Sequence, residues 1–194
     1  VADIAKIPRK KAKTINLALL YGMGQTRLAE QLDVTPEEAK HLIKQYHQQV
    51  PFVKELMDTV QRRVGGPVGG GFVRSLLGRK CRFNLWEPNL FVSSKALPRD
   101  QAVIEYGTNI KRAYTYKSLN RLIQASASDF TKRAMVEIYK TGKVPLVQIH
   151  DELALSVKDM EEAKGIQEIM ENCVELQVPC PTDAALGPNW GNLK

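Results

Sequence analysis

Three features of the 194-residue sequence predict a helix-rich α+β fold with part of an antiparallel sheet. Apolar residues recur at helical spacing over several long stretches. Short alternating runs appear late in the chain, Pro145 to Ile149 and Leu153 to Val157. A turn of only a few residues joins them, which demands antiparallel pairing. With 43% hydrophobic and 25% charged residues, the chain can bury a core in one domain or two tightly packed lobes, and dominant disorder is excluded. There is no run of 18 apolar residues and no charged-then-apolar leader, so neither a membrane span nor a secretory signal is expected. Cys81, Cys173 and Cys180 are odd in number and lack the paired spacing of a zinc site, which points to free thiols in a reducing, cytoplasmic compartment. The net charge of +7 suits a polyanionic partner, although many soluble proteins are moderately basic.

The first element, RKKAKTINLALLYGMG, has basic residues at 9, 10, 11 and 13, then turns apolar. On a helix, steps of four put Arg9, Lys13, Leu17 and Tyr21 on one stripe, cationic at one end and aromatic at the other. Arg9 and Tyr21 lie about 18 Å apart along the axis, which suits an extended ligand with phosphates at one end and a flat base at the other. The helix N-terminus also favours anions. An ordinary amphipathic helix with solvated Lys and Arg has the same spacing, so the stretch raises a nucleotide site without settling it.

Gln25 to Leu32 continues as a short helix, and Thr35-Pro36-Glu37-Glu38 reads as a capping box that opens a helix to Gln49. Phe52 to Val64 is a further helix, and Gly65 to Gly71 reads as a hinge or tip. Phe72 to Leu76 and Cys81 to Phe83 flank Leu77-Gly78-Arg79-Lys80 as a short hairpin. Glu87 to Leu97 lacks periodicity and is expected as loop. Helices follow over Arg99 to Tyr106 and Lys117 to Lys140, the latter with Asn120 and Gln124 as a polar pair at the edge of an apolar face. After the two strands come a helix, Met160 to Val174, and a last strand near Thr182 to Leu186.

The turn His150-Asp151-Glu152 is unusual, because tight hairpins favour Asn-Gly or Asp-Gly. A carboxylate at a rigid tip suits Mg2+, which takes one or two protein carboxylates and fills its shell with phosphate and water. A purely structural turn is the alternative. Together with a cationic helix, the tip makes the complementary half of a phosphoryl-transfer site.

RKKAKTINLALLYGMG resembles the second polymerase motif of family A DNA polymerases, the bacterial DNA polymerase I type, and QIHDELALSV resembles that family's third motif. LNRLIQASASDFTKRAM is similar to its DNA-contacting helix, and ENCVELQVPCPTDAALGPNW to its carboxyl end. GFVRSLLGRKCRF and KRAYTYKSLNRLIQ lean toward phage-encoded members, which act in the bacterial host cytoplasm. The resemblance spans nearly the whole chain in order. It implies a fingers subdomain over 1–115 and part of a palm over 116–194, the latter carrying the His-Asp-Glu hairpin. The implied reaction is template-directed nucleotidyl transfer from a dNTP to a primer 3′-hydroxyl.

Carried over residue by residue, the resemblance implies that Arg9 and Lys13 hold the triphosphate and that Lys13 protonates the leaving pyrophosphate. Tyr21 caps the nascent base pair, and Gly22 lets the helix pivot. Asp151 ligates Mg2+, Glu152 supports the metal site, and His150 contacts the primer end. Asn120 and Gln124 touch the duplex minor groove, where acceptors on every base pair permit sequence-independent contact. Arg79 is a candidate backbone contact.

Leu17 stands where the family usually has Phe or Tyr, Tyr116 where bacterial members commonly have Arg, and Ala125 where Gly is usual. The family's first motif, with a metal-binding aspartate, lies ahead of the opening helix and is not in this chain. Asp100 and Glu105 mimic its spacing but sit after that helix and read as helical. The chain is therefore expected to need an upstream polymerase portion, from the same gene or a separate subunit, and to be inactive alone. A single-subunit RNA polymerase fragment shares the Arg, Lys, Tyr-Gly spacing but normally follows His-Asp with Ser. A non-catalytic DNA-binding remnant would not need the Asp151-Glu152 pair.

Overall fold

The computed structural model describes residues 9–21, 23–66, 70–90 and 94–193, with side chains from residue 12 onward. The chain divides into two compact units, Val1–Ile123 and Gln124–Lys194.

The first unit opens with four helices, α1 (Arg9–Leu20), α2 (Gln25–Leu32), α3 (Pro36–Gln49) and α4 (Pro51–Gly65). Their shared core is Ile15, Ala18, Leu19, Leu28, Tyr46, Val50 and Val53. The capping box forms as expected. Thr35 Oγ1 accepts from Glu38 N at 3.2 Å, Glu38 Oε2 accepts from Thr35 N at 2.9 Å, and Pro36 occupies the first helical turn. Val50 N donates to Tyr46 O at 2.8 Å and Pro51 starts the next helix, so the chain reverses without a loop.

A second core of Val60, Val64, Val73, Phe83 and Leu119 joins α4 to a hairpin of β1 (Phe72–Arg74) and β2 (Lys80–Arg82). Their register pairs Phe72 with Arg82, Val73 with Cys81 and Arg74 with Lys80. The expected hinge falls partly on residues 67–69, outside the described residues. The expected loop over Glu87 to Leu97 needs correction at its two ends, where strands form, while the described residues between them, 89–90 and 94–96, hold no element. Leu85–Pro88 is the central strand, β3, of a three-stranded antiparallel sheet with β4 (Leu97–Pro98) and β5 (Ile110–Arg112). Trp86 pairs with both Leu97 and Arg112. These strands are too short for a period to register, and their pairing is set by partners distant in sequence. Pro88 is tolerated because it ends its strand. Helix α5 (Arg99–Tyr106) forms as expected and stops at Gly107, whose φ of +75° favours glycine.

Helix α6 (Ser118–Lys140) follows a 3₁₀ turn, Thr115–Lys117, and crosses the division between the units. In the second unit Ala134, Ile138 and Ile166 are buried. Strands β6 (Val147–Ile149) and β7 (Glu152–Ala154) pair antiparallel, with Ile149 opposite Glu152. Helix α7 (Met160–Asn172) is capped by Asp159, whose Oδ1 accepts from Glu162 N at 2.9 Å. It stops two residues before the expected Val174. The strand expected near Thr182 to Leu186 does not form. Thr182 N donates to Glu171 Oε1 at 2.7 Å and its carbonyl accepts from Gln167 Nε2 at 2.8 Å. Both backbone groups of Thr182 are thus satisfied by side chains of α7, so this residue needs no ladder partner. Among the described residues no helix is long and apolar enough to cross a membrane.

Candidate functional site

Helix α1 sorts its residues by face. Ala12, Ile15, Ala18 and Leu19 are at most 5% exposed, whereas Leu17 and Tyr21 are each 39% exposed and Lys13 is exposed. The Lys13-Leu17-Tyr21 stripe therefore lies opposite the core. The core is filled by the other three-and-four-spaced set, so Leu17 and Tyr21 offer an apolar surface at the open side of a packed helix. Tyr21 N donates to Leu17 O at 2.9 Å, which extends the helical turn through Tyr21. The side chain of Arg9, at the start of α1, and the whole of Gly22 lie outside the described residues.

A support for this helix that sequence reasoning missed is Tyr46. Its hydroxyl donates to Asn16 Oδ1 at 2.5 Å, across 30 residues of sequence. Asn16 adjoins Leu17, so the bond fixes the rotation of α1 about its axis. Burial pushes the Tyr46 phenol up, which keeps it a donor. Apolar periodicity marks Tyr46 only as core.

The carboxylates sit at the β6–β7 turn, where His150 and Asp151 form the two-residue loop and Glu152 begins β7. His150 has a φ of +54°, a left-handed conformation that costs a non-glycine residue about 1–2 kcal/mol. Gln148 Nε2 donates to His150 O at 3.1 Å and steadies the turn. Asp151 and Glu152 are exposed, and among the described residues no group of three or more His, Cys, Asp or Glu side chains gathers to hold a metal. Their oxygens are the donors a hard divalent ion prefers, and Mg2+ takes one or two carboxylates from a protein, with phosphate and water completing its shell. The residues thus fit such an ion as a partial ligand set.

Asn120 is half-buried and Gln124 exposed, both on α6. Ala125, in the usual glycine position, is buried at 8%. Arg79 is exposed beyond Gly78, its backbone N donating to Ser75 Oγ at 3.0 Å. Asp100 and Glu105 both lie in α5, a helical placement that separates them from any strand motif. The first unit thus carries Lys13, Leu17, Tyr21, Arg79 and Asn120, and the second carries Gln124, His150, Asp151 and Glu152.

The sequence profile of DNA polymerase family A matches residues 1–192. The chain belongs to DNA polymerase family A. It is 31% identical to the DNA-directed DNA polymerase of Pseudomonas phage M6, covering 99% of this chain and 30% of that protein. It is 32% identical to the thermostable DNA polymerase I of Thermus thermophilus, covering 96% of this chain and 21% of the relative. Among solved structures it is similar to the POL domain of Pol1 from M. smegmatis, in complex with DNA primer-template and dNTP. That likeness has a TM-score of 0.67 and 28% identity over 92% of this chain and 31% of that one. The chain thus spans less than a third of the length of these relatives.

Proposed function

We propose that this chain is the fingers subdomain, residues 1–115, and part of the palm, residues 116–194, of a template-directed DNA polymerase. The enzyme transfers a nucleotide from a dNTP to a primer 3′-hydroxyl. The observation that carries this reading is the open Lys13-Leu17-Tyr21 face on a helix whose opposite side is fully packed.

In this reading Arg9 and Lys13 bind the triphosphate at the positive end of α1, and Lys13 passes a proton to the departing pyrophosphate oxygen. Leu17 lies against the sugar, Tyr21 caps the new base pair, and Gly22 gives the helix its pivot. His150 contacts the primer end, Asn120 and Gln124 contact the minor groove, and Arg79 contacts the backbone. Asp151, supported by Glu152, is a ligand for Mg2+. The ion supplies charge stabilisation for the phosphoryl group when bound. The ligand set is completed by a carboxylate from the upstream portion of the polymerase, encoded in the same gene or as a separate subunit. Leu146, Val147 and Ile149 are 64%, 39% and 39% exposed on the hairpin, and a two-stranded hairpin is marginal alone. Both facts support a sheet that takes further strands.

The test is Asp151→Asn in the polymerase joined to its upstream portion. Primer extension falls by about a hundred-fold or more while DNA affinity changes little, because a lost metal ligand strikes the transition state. Equal losses in binding and rate would mean that Asp151 is only a turn residue.

A further inference from the structure

Beyond α7 the chain turns back onto the helix, and the reversal sets two cysteines at matching places. Glu171 Oε1 accepts from Thr182 N at 2.7 Å and from Thr182 Oγ1 at 3.2 Å, while Gln167 Nε2 donates to Thr182 O at 2.8 Å. Thr182 is thereby clamped to the end of α7. Cys173 lies two residues after Glu171, and Cys180 lies two residues before Thr182. Counted inward from the clamp, the two thiols stand opposite each other across a loop of six residues, 174–179.

Their settings differ. Cys173 is half-buried, and its Sγ donates to Met170 O at 3.2 Å and to Phe130 O at 3.7 Å, which ties the end of α7 to α6. Burial pushes its thiol up, its backbone hydrogen bond and Arg133 oppose this, and Glu137 and Cys180 add to the rise. Cys180 is therefore near enough for the Cys173 sulfur to feel it. Cys173 also lines a cleft of about 430 Å3 with Arg133, Glu137, Lys140 and Ile169, which gives its sulfur room to turn. Cys180 is exposed between Pro179 and Pro181. The first ring fixes φ at 179 and the second favours an extended Cys180, so this thiol is presented from a stiff segment.

Packing accounts for one thiol only. Cys173 serves as a small apolar filler with a weak donor between α6 and α7, as buried cysteines do. That role leaves unexplained an exposed second thiol at the matching position of the returning segment. A disulfide needs two Cα atoms within about 7 Å and Cβ atoms that face each other, an approach that the Glu171–Thr182 clamp promotes. Cys81 has no part in it, because it lies on β2 in the first unit.

We propose that Cys173 and Cys180 are a redox pair that closes to an intramolecular disulfide and staples the carboxyl segment to the end of α7. The oxidant is a small-molecule disulfide of the oxidised glutathione class. Cys180, the exposed thiol, loses its proton and attacks one sulfur of the oxidant, which releases one small thiol and leaves a mixed disulfide. Cys173 then gives up its proton, attacks Cys180 Sγ and expels the second small thiol. One S–S bond of the oxidant is exchanged for one in the protein, and the two protons end on the two small thiols. In a reducing compartment the pair rests open, and it closes when the thiol–disulfide balance turns oxidising. The proposal stands apart from the polymerase reading.

The test is the full chain incubated with oxidised glutathione, quenched with acid, alkylated and mapped by peptide mass spectrometry. The expected product joins the Cys173 and Cys180 peptides with the loss of two hydrogens, while Cys81 takes the alkylating label. Cys173→Ser should halt the reaction at a glutathionyl adduct on Cys180, and Cys180→Ser should leave Cys173 a thiol. Glu171→Ala releases Thr182 and should slow closure by about five-fold, the worth of one hydrogen bond. An unchanged rate would overturn the alignment on which the proposal rests. A lasting glutathionyl group on Cys180 of the unsubstituted chain, a Cys180 bridge between two chains, or label on both thiols would each overturn the pair. A second measurement reads the staple. Closing an eight-residue loop restricts the unfolded chain, so oxidation should raise the urea midpoint by about 1 M and dithiothreitol should restore it. A linked chain whose midpoint is unchanged or lower would overturn the stapling role.

Discussion

Tyr46→Phe tests how the opening helix is held. The ring stays in its 1%-exposed site, so no cavity forms and only the hydroxyl is lost. Asn16 Oδ1 then loses its 2.5 Å donor. A made hydrogen bond is worth about 0.5–1.5 kcal/mol, and an acceptor left without one in a half-buried place raises the cost toward about 1–3 kcal/mol. With a urea m-value of roughly 2 kcal/mol per M, the unfolding midpoint should drop by about 0.5–1.5 M. Asn16→Ala should cost a similar amount. The double variant should cost less than the two single costs added together, by about 0.5 kcal/mol or more, because both remove one bond. In the joined polymerase the same change should raise the KM for dNTP more than it lowers kcat, since Asn16 adjoins Leu17. Strictly additive stabilities would refute the claim that this bond sets the rotation of α1.

Thr35→Ala removes the acceptor for Glu38 N and should cost about 1 kcal/mol in the same urea assay. His47 carries a pH effect. Burial pushes its imidazole below the ordinary 6.5, Lys54 adds to this, Asp58 opposes it, and Nδ1 is buried without a hydrogen-bond partner. The unfolded chain therefore takes up a proton near pH 6.5 that the folded chain accepts only at lower pH. Its contribution to stability is complete above 6.5 and lost as pH falls through the folded value. Thermal midpoints taken from about pH 7.5 to about pH 5 should fall less in His47→Leu than in the unsubstituted chain. Leu17→Tyr, in the joined polymerase, should raise acceptance of 3′-deoxy nucleotides about five-fold through one new hydrogen bond, read by competition between deoxy and dideoxy substrates. An unchanged ratio would remove Leu17 from the sugar pocket.

The helices of this chain were legible wherever a boundary carried its own chemistry. Thr35, Pro36 and Glu38 announce a capping box, and the long apolar period from Leu119 to Ile138 announces α6. The open stripe of α1 could be drawn from spacing, but which side faced the core could not, because Leu17 is as apolar as Leu19. Strands β3 and β5 were hidden because each is short and its pairing lies in Trp86 meeting Arg112, a partner no local window contains. At Thr182 the expected strand is absent, and side chains of Glu171 and Gln167 satisfy the backbone of that residue instead.

The central claim is that this chain supplies the nucleotide-binding helix and one metal carboxylate of a DNA polymerase whose remaining carboxylate lies upstream. Its most direct test is primer extension, at matched DNA occupancy, by the rigorously purified chain alone and by the chain joined to its upstream portion. The account predicts that the chain alone binds primer-template, more weakly as salt rises, and adds no measurable nucleotide. The joined protein should extend the primer only with a divalent ion present. Robust extension by the 194-residue chain alone would contradict it.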